Sequence, residues 1–579
     1  MWIMTGTMTF GTGGMTRPAG TIVGMRIRRT LAVLFAGLFS ATAVGVIHAR
    51  GVVDAVYPAP RSLSVPAPAA TTSGTRPTVA VLLGAAGANA ADVLAPYETL
   101  AASGRYTVLT VAESHDPVPL TGGLEVVPDR TFADLGRADW IVVPAVQQTD
   151  TPRLRPAVDW LQRRYADGSK IMSVCAGAGL LARTGLLTGR PATSHWLAQY
   201  GLEREYPEVR WQRGTRYVDD GRIVTTAGVL SGVDGALRIL EREHGAEVAR
   251  QAAAAVRWTA YHPGGPAPID AAHPGPADTV ALLNLGFRRQ VHAAVLLTPQ
   301  VGEIELASVF RTYTEMSYTA RLTPVSADGG PIRSRHGLTF LARAAAGGAG
   351  YDRLIVPGHQ AAAGGVDPAW HPVYVHQRDE FPFEGTLRDL AATTDVPTAH
   401  WVAKSLEYRP GELSGTAFPW WPALLLTLAA LAGGIGCVLL RAGLARRPRL
   451  RHWLRHLVEM LIAMVAGMVL LGPLWGGLTH GRPVAMALAM GFDMALGMAA
   501  WMAVRGHDRR MIGEMALVMV APFVLLAPFV SGAALMTAGH TLMLVAMVAL
   551  MLVRWRHYSQ APTWSPVFRR RTEQPVTSG

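Results

Sequence analysis

Cys175 is the residue whose surroundings point most directly to chemistry. It stands at the joint of the stretch KIMSVCAGAGLLARTGLLTGRPATSHW, residues 170–196. The apolar run 171–174 suits a short buried strand, and 176–187 reads as a helix rich in small residues. A sharp strand-to-helix turn holds its central residue in strained backbone geometry with the side chain exposed, and needs tiny neighbours such as Ala176 and Gly177 to avoid clashes. It also sets the sulfur at a helix N-terminus, where the dipole favours thiolate over thiol. The pattern predicts a nucleophile that adds to an electrophilic carbon. The competing assignment is a buried structural cysteine acting as a small hydrophobe.

The segment SVCAGAGLLARTGLL followed by ATSHW resembles the nucleophile elbow of the ThiJ/PfpI family, within the class I glutamine amidotransferase-like superfamily. It is most similar to the branch that holds isonitrile hydratases and the N-terminal domains of AraC-type regulators, and the likeness covers about residues 77–250. The resemblance implies that Asp92 is the carboxylate that hydrogen-bonds the nucleophile, orienting the thiol or shuttling a proton. Its plainer role would be an N-cap before Val93 and Leu94. The resemblance also implies that His195, twenty residues after the cysteine, stands near the site as base or proton donor; the alternative is a helix-end histidine satisfied by backbone. Superfamily members stabilise an oxyanion with two backbone N–H groups, which here would be those of Ala176 and Ala145. The sequence departs from the pattern at Ala176, where protease-like members carry His and isonitrile hydratases commonly carry Thr. That argues against a peptidase and against that particular hydratase reaction. No metal ligand set and no cofactor are implied.

These side chains need a scaffold, and the flanking sequence supplies one. Short strands are predicted at 78–83, 108–111, 124–127, 140–143, 171–174 and 221–227, with helices at 151–164 and 233–244. Strands alternating with helices predict an α/β fold with a doubly wound, mostly parallel sheet over 78–258. A Pro/Gly-rich linker is predicted at 259–287. Beyond it, HAAVLLTPQVGEIELASVF and YDRLIVPG resemble TVAVLLGAAGANAADVLAPYE and ADWIVVPA, so 288–410 reads as a degenerate second copy. Glu305 takes the place of Asp92 there, and after Gly358 no strand ends in Cys, Ser or Thr before a small-residue helix. Pairing between the two α/β domains, or a homodimer, is the expected assembly.

Composition places this scaffold at a membrane. The 579 residues are 50% hydrophobic, above what a soluble chain of this size carries. The net charge of +12 comes almost wholly from arginine, since Lys170 and Lys404 are the only lysines. The arginines cluster beside apolar runs and so report topology rather than nucleic-acid binding, which is not expected. With only Cys175 and Cys437 present, no disulfide framework is implied. Residues 1–24 lack periodicity, and Met25 offers an alternative start. Residues 25–50 have the charged and apolar regions of a signal peptide or signal anchor, and 51–77 read as a Pro/Ala-rich linker. Five apolar runs between 418 and 553, at 418–440, 457–478, 484–504, 512–532 and 535–553, predict an all-α transmembrane bundle, and 554–579 a basic cytoplasmic tail. Arg441, Arg446, Arg447, Arg449, Arg451, Arg455, Arg505, Arg509, Arg510, Arg554 and Arg556 fall on one side, and only Arg482 on the other. With Arg26, Arg28 and Arg29 on that same side, residues 50–415 are expected to be extracytoplasmic.

Two function classes follow. The outer domain is a Cys-dependent hydrolase, hydratase or amidotransferase-like enzyme acting on a small molecule, or a non-catalytic module that senses a ligand for a membrane regulatory protein. A third reading rests on methionine ladders, Met460/Met464/Met468, Met486 to Met502 at every fourth residue, and Met543/Met547/Met551, which could handle a soft metal ion. Packing is their ordinary explanation. Asp493, Glu514 and His540 lie in or beside the same runs and are functional candidates by virtue of their cost there.

Overall fold

A computed structural model describes residues 19–58, 75–147, 152–265, 268–348, 350–361, 367–479, 483–528 and 532–560. The upstream segment, most of the first linker, Arg482 and the tail beyond 560 lie outside the described residues. The chain forms two units, Phe35–Gly433 and a second that joins Met1–Leu34 to Gly434–Gly579.

In the first unit, short runs of Val, Ile, Leu and Ala make the strands β1 (Thr78–Leu82), β2 (Thr107–Ala112), β3 (Arg130–Thr131), β4 (Trp140–Val143), β5 (Lys170–Ser173), β6 (Tyr217–Asp219) and β7 (Ile223–Thr226). They lie in the order β6-β7-β5-β4-β1-β2-β3, every neighbouring pair parallel except β6 with β7. Val79 to Leu82 and Trp140 to Val143 are all buried, as a sheet covered on both faces requires of continuous apolar strands. Helix α1 (Ala90–Ala102) follows β1 and is capped by Asn89, whose side chain accepts from the amides of Ala91 and Asp92. Capping therefore falls to Asn89 and leaves the Asp92 carboxyl free for another role.

Some boundaries differ from those expected. The elbow helix α2 spans only Gly177–Arg183 rather than 176–187, because the chain turns at Gly185 with φ 77°. The helix Ala19–Val56 runs into the predicted linker 51–77. The second linker contains the helix Thr279–Phe287, an apolar segment that neighbouring prolines and glycines obscured; its buried Asn284 hydrogen-bonds Thr398.

A second sheet follows, with β8 (Val291–Leu296), β9 (Ala320–Ser326), β10 (Ala344–Ala345), β11 (Arg353–Val356) and β12 (Pro372–Tyr374) in the order β10-β9-β8-β11-β12, all parallel. This is the order β3-β2-β1-β4-β5 of the first sheet. The register matches too: Ala293 opposes Arg353 as Val79 opposes Trp140, and Val356 opposes Tyr374 as Val143 opposes Ser173. Two residues beyond Tyr374, His376 stands where Cys175 stands beyond Ser173. Glu305 is the third residue of α3 (Glu303–Tyr313), as Asp92 is of α1.

The two lobes meet across a local two-fold arrangement. Thr339–Leu341 pairs antiparallel with Glu125–Val127, with Phe340 opposite Val126, and α1 packs on α3. Glu98 accepts from the Ile304 amide at 2.6 Å, which satisfies an orphan N–H of α3, and Arg335 reaches Glu98 at 2.9 Å and Glu305 at 3.2 Å.

All five C-terminal apolar runs are helical: Trp420–Ala445, Pro448–Thr479, Pro483–Val504, Arg509–Leu526 and Gly532–Val553. Among the described residues, four helices have the length and composition of a membrane span, Thr30–Val56, Trp420–Gly443, Pro448–Trp475 and Val484–Val504. Arg509, Arg510 and Glu514 make the start of Arg509–Leu526 polar.

Candidate functional site

The elbow forms from the end of β5. Cys175 adopts φ 56°, a left-handed conformation that a side-chain-bearing residue takes only when the surrounding fold holds it there. Gly177 makes the turn fit: a Cβ on it would lie 2.2 Å from the Val143 carbonyl oxygen. Ser194 fixes the turn from the other side by donating its hydroxyl to the Cys175 carbonyl at 2.9 Å.

Beside the sulfur lies the fully buried Asp92 carboxyl, in hydrogen-bonding reach of the thiol. Its Oδ2 accepts from the Ala145 amide at 3.1 Å, so that N–H is committed to the carboxyl here. The Ala176 N–H points at the sulfur. The helix dipole was expected to yield an exposed thiolate, and the geometry corrects both parts of that expectation. Cys175 is only 6% exposed, and burial, aided by the Asp92 charge, pushes its thiol well above the usual range despite the Ala176 N–H. The two-turn helix α2 offers too little dipole to offset this. Burial likewise pushes Asp92 well above the usual carboxylate range, with Glu315 adding to it. Both effects bias the Asp92 carboxyl toward holding a proton next to the sulfur.

His195 begins the helix Trp196–Glu205 and is buried. Its Nε2 lies 2.9 Å from the Ser405 carbonyl oxygen, and burial lowers its pKa to about 4. It is a neutral imidazole that donates from Nε2, and among the described residues no hydrogen bond joins it to Cys175. The structure thus brings Asp92, Ala145 and Ala176 together around Cys175 and ties His195 to a different partner.

That partner belongs to a strap that the sequence did not signal. Ser405, Leu406 and Glu407 come from the far end of the second lobe and lie over the helix starts that flank the elbow. Ser405 accepts from His195, Leu406 accepts from the Leu230 amide at 3.4 Å, and the Glu407 carboxylate accepts from the Gly228 amide. Glycine at 228 lets the carboxyl approach, because a Cβ there would lie 2.5 Å from it and push the Glu407 side chain aside. Burial raises Glu407 to a pKa of about 7. Glu407 also lines a cleft of about 590 Å³ with Arg216, Lys404, Tyr408 and Arg409, and a small adjoining recess against Ser194 and Trp196. Glu407 adopts a positive φ of 52°, which nothing in the sequence signals.

The corresponding place in the second lobe is filled differently. His376 receives the Gly358 amide on Nδ1 at 2.9 Å and lies 2.9 Å from the Ser308 hydroxyl through Nε2. Burial pushes Glu305 up, but Arg335 and the amides of Gly302 and His359 outweigh it and hold the carboxyl below its ordinary value. As for metals, Glu98, Glu303 and His336 bring ligand atoms within 4.8 Å of one another. Those atoms are already engaged with Ile304, Arg335, Ser334 and each other.

Comparison with known proteins fits this geometry. The family model described as DJ-1/PfpI family matches residues 77–242, which hold Asp92, Ala145, Cys175, Ala176 and His195. Isonitrile hydratase from Pseudomonas putida is 30% identical over 161 residues, 28% of this chain and 69% of that protein. The chain belongs to the DJ-1/PfpI family. Protein DJ-1alpha of Drosophila melanogaster is 31% identical over 163 residues, 27% of this chain and 73% of that one. The HTH-type transcriptional regulator GbdR of Pseudomonas aeruginosa is 29% identical over 126 residues, 22% of this chain and 34% of the regulator. The DJ-1/PfpI match ends before the second lobe, the strap and the helical unit begin.

Proposed function

We propose that this chain is a membrane-anchored DJ-1/PfpI protein whose extracytoplasmic lobes use Cys175 as a nucleophile on a small molecule, in a hydrolytic, hydrating or amide-transfer reaction. The observation that carries the reading is the left-handed backbone at Cys175 with its sulfur set against a buried carboxyl whose pKa burial pushes up. Packing alone has no use for such strain, whereas an attacking sulfur needs it. When the Cys175 sulfur bonds to carbon the thiol proton is released, and the adjoining Asp92 carboxyl is placed to relay a proton to the atom that gains the electron pair, while Ala176 supplies a backbone N–H on the sulfur's side. The chain 288–410 acts as a degenerate second copy, whose His376 replaces the nucleophile and whose strap closes the first copy's site. Turnover then requires the strap to lift, since the sulfur is buried at rest.

The burial and raised pKa of Cys175 favour one second reading, a ligand-sensing module in which the strap reports occupancy. The likeness to a transcriptional regulator agrees with it, although that protein shares only a third of its length with this chain. Steady-state turnover of the full chain in detergent separates the two. Loss of at least about a thousandfold in Cys175→Ala, with ligand stabilisation kept, supports the enzyme. Binding without turnover, indifferent to Cys175, supports the sensor.

A further inference from the structure

The buried core of the C-terminal helical unit is built from the wrong hydrophobe for packing alone. Sixteen buried apolar or aromatic residues form one cluster, and ten of them are methionine: Met460 and Met464, then Met494, Met498 and Met502, then Met515 and Met519, then Met543, Met547 and Met551. Each set recurs at every fourth residue, so four successive helices each turn a thioether stripe inward. Among the described residues of these helices, leucine enters the buried cluster once, at Leu535, and isoleucine and valine do not enter it. Branched aliphatics surround it, some half-buried against it, such as Leu457, Leu461, Leu488 and Val520, and others, such as Val458, Ile462, Val465, Leu470, Leu517 and Val545, more than half exposed.

An apolar surround does not separate methionine from leucine by polarity, and packing prefers the residue with defined rotamers, using methionine to fill gaps. The sorting therefore follows the one property leucine lacks, the sulfur. A second observation concerns charge. Asp493, on the same helix as Met494 but turned to a different face, is 1% exposed, and its Oδ1 accepts from the Trp475 indole at 2.9 Å. Its Oδ2 has no hydrogen-bond partner among the described residues. An uncompensated carboxylate is costly at such depth and calls for a counter-charge.

We propose that the methionine-lined core of this unit is a binding site for a soft monovalent metal ion, Cu(I) or Ag(I), with Asp493 as a buried counter-charge in the same unit. Neutral thioethers are soft donors that select such ions, and they give no comparable advantage to Zn²⁺, Mg²⁺ or Ca²⁺. The Asp493 carboxylate balances the single positive charge, so that the loaded core is neutral. The site is independent of the Cys175 chemistry and of the outer lobes.

The test uses the full chain in detergent with Cys175→Ser and Cys437→Ser, which removes both thiols as competing soft ligands, and Ag(I) as a redox-inert probe. The proposal predicts about one or more Ag(I) retained per chain after desalting, and an affinity at least about tenfold weaker in Met464→Leu/Met498→Leu/Met547→Leu. The exposed Met486→Leu should bind as the parent does. Asp493→Asn should weaken binding in the same direction as the triple change. X-ray absorption at the silver edge of the parent protein should show sulfur neighbours, a readout that stands even where the triple variant does not fold. Failure to retain Ag(I), or a coordination shell of nitrogen and oxygen alone, overturns the proposal.

Discussion

At the scale of the residue, the difference between Asp92 and Glu305 explains how one fold makes two unlike sites. Both are the third residue of the helix after the first strand of their lobe, and both are buried. Arg335 sits against Glu305 and holds its carboxyl below the ordinary value, whereas burial and the nearby Glu315 push Asp92 up. Asp92→Asn removes a carboxyl whose charged form raises the Cys175 thiol, so the alkylation profile of the sulfur should shift to lower pH. An unchanged profile would place the cause elsewhere. In the second lobe, His376→Ala leaves the Gly358 amide buried without its acceptor, at a cost of about 1–3 kcal/mol in the unfolding free energy by denaturant titration. The same substitution should leave thiol reactivity at Cys175 unaltered.

At the scale of the element, the chain's local patterning was informative wherever one segment settles its own structure. The strands around the elbow, the break at Cys175 and the place of Asp92 were legible because apolar runs, small residues and one carboxylate occur in sequence order. The strap was not legible, since nothing in LEYR at 406–409 marks a carboxylate that will cap helices about 180 residues earlier. The helix Thr279–Phe287 was hidden for a simpler reason, its flanking prolines and glycines outweighing nine helical residues. The thiolate expectation failed because burial is a tertiary property that a helix-dipole argument leaves out. The strap makes a prediction of its own. Glu407 has a folded pKa of about 7, above its unfolded value, so its contribution is complete at acid pH and is lost as pH rises through about 7. Alkylation of Cys175 should therefore rise between pH 6 and 8 more steeply than thiol ionisation alone provides. Glu407→Gln should remove that extra steepness, and a profile identical to the parent's would show that the strap does not control access.

At the scale of the whole molecule, buried titratable groups act on stability in both directions. His195 and His376 are depressed to about 4, so the unfolded chain takes up their protons first, and their contribution to stability falls as pH drops from about 6.5 towards 4. Glu98 and Glu407, raised from 4.5 to about 7, act in the opposite direction over an overlapping range. The two pairs therefore largely offset one another, and the melting temperature of the lobes should change little between about pH 4.5 and 6.5. His195→Gln should make it fall as pH rises across that range, and an unaltered pH dependence in that variant would contradict the burial of that imidazole. The central claim, a membrane-tethered cysteine nucleophile, is tested most directly by screening small electrophilic carbon compounds against the full chain and its Cys175→Ala variant, following product formation. The account predicts at least one compound turned over by the parent and none by the variant. A compound that binds both proteins equally and is converted by neither would contradict it.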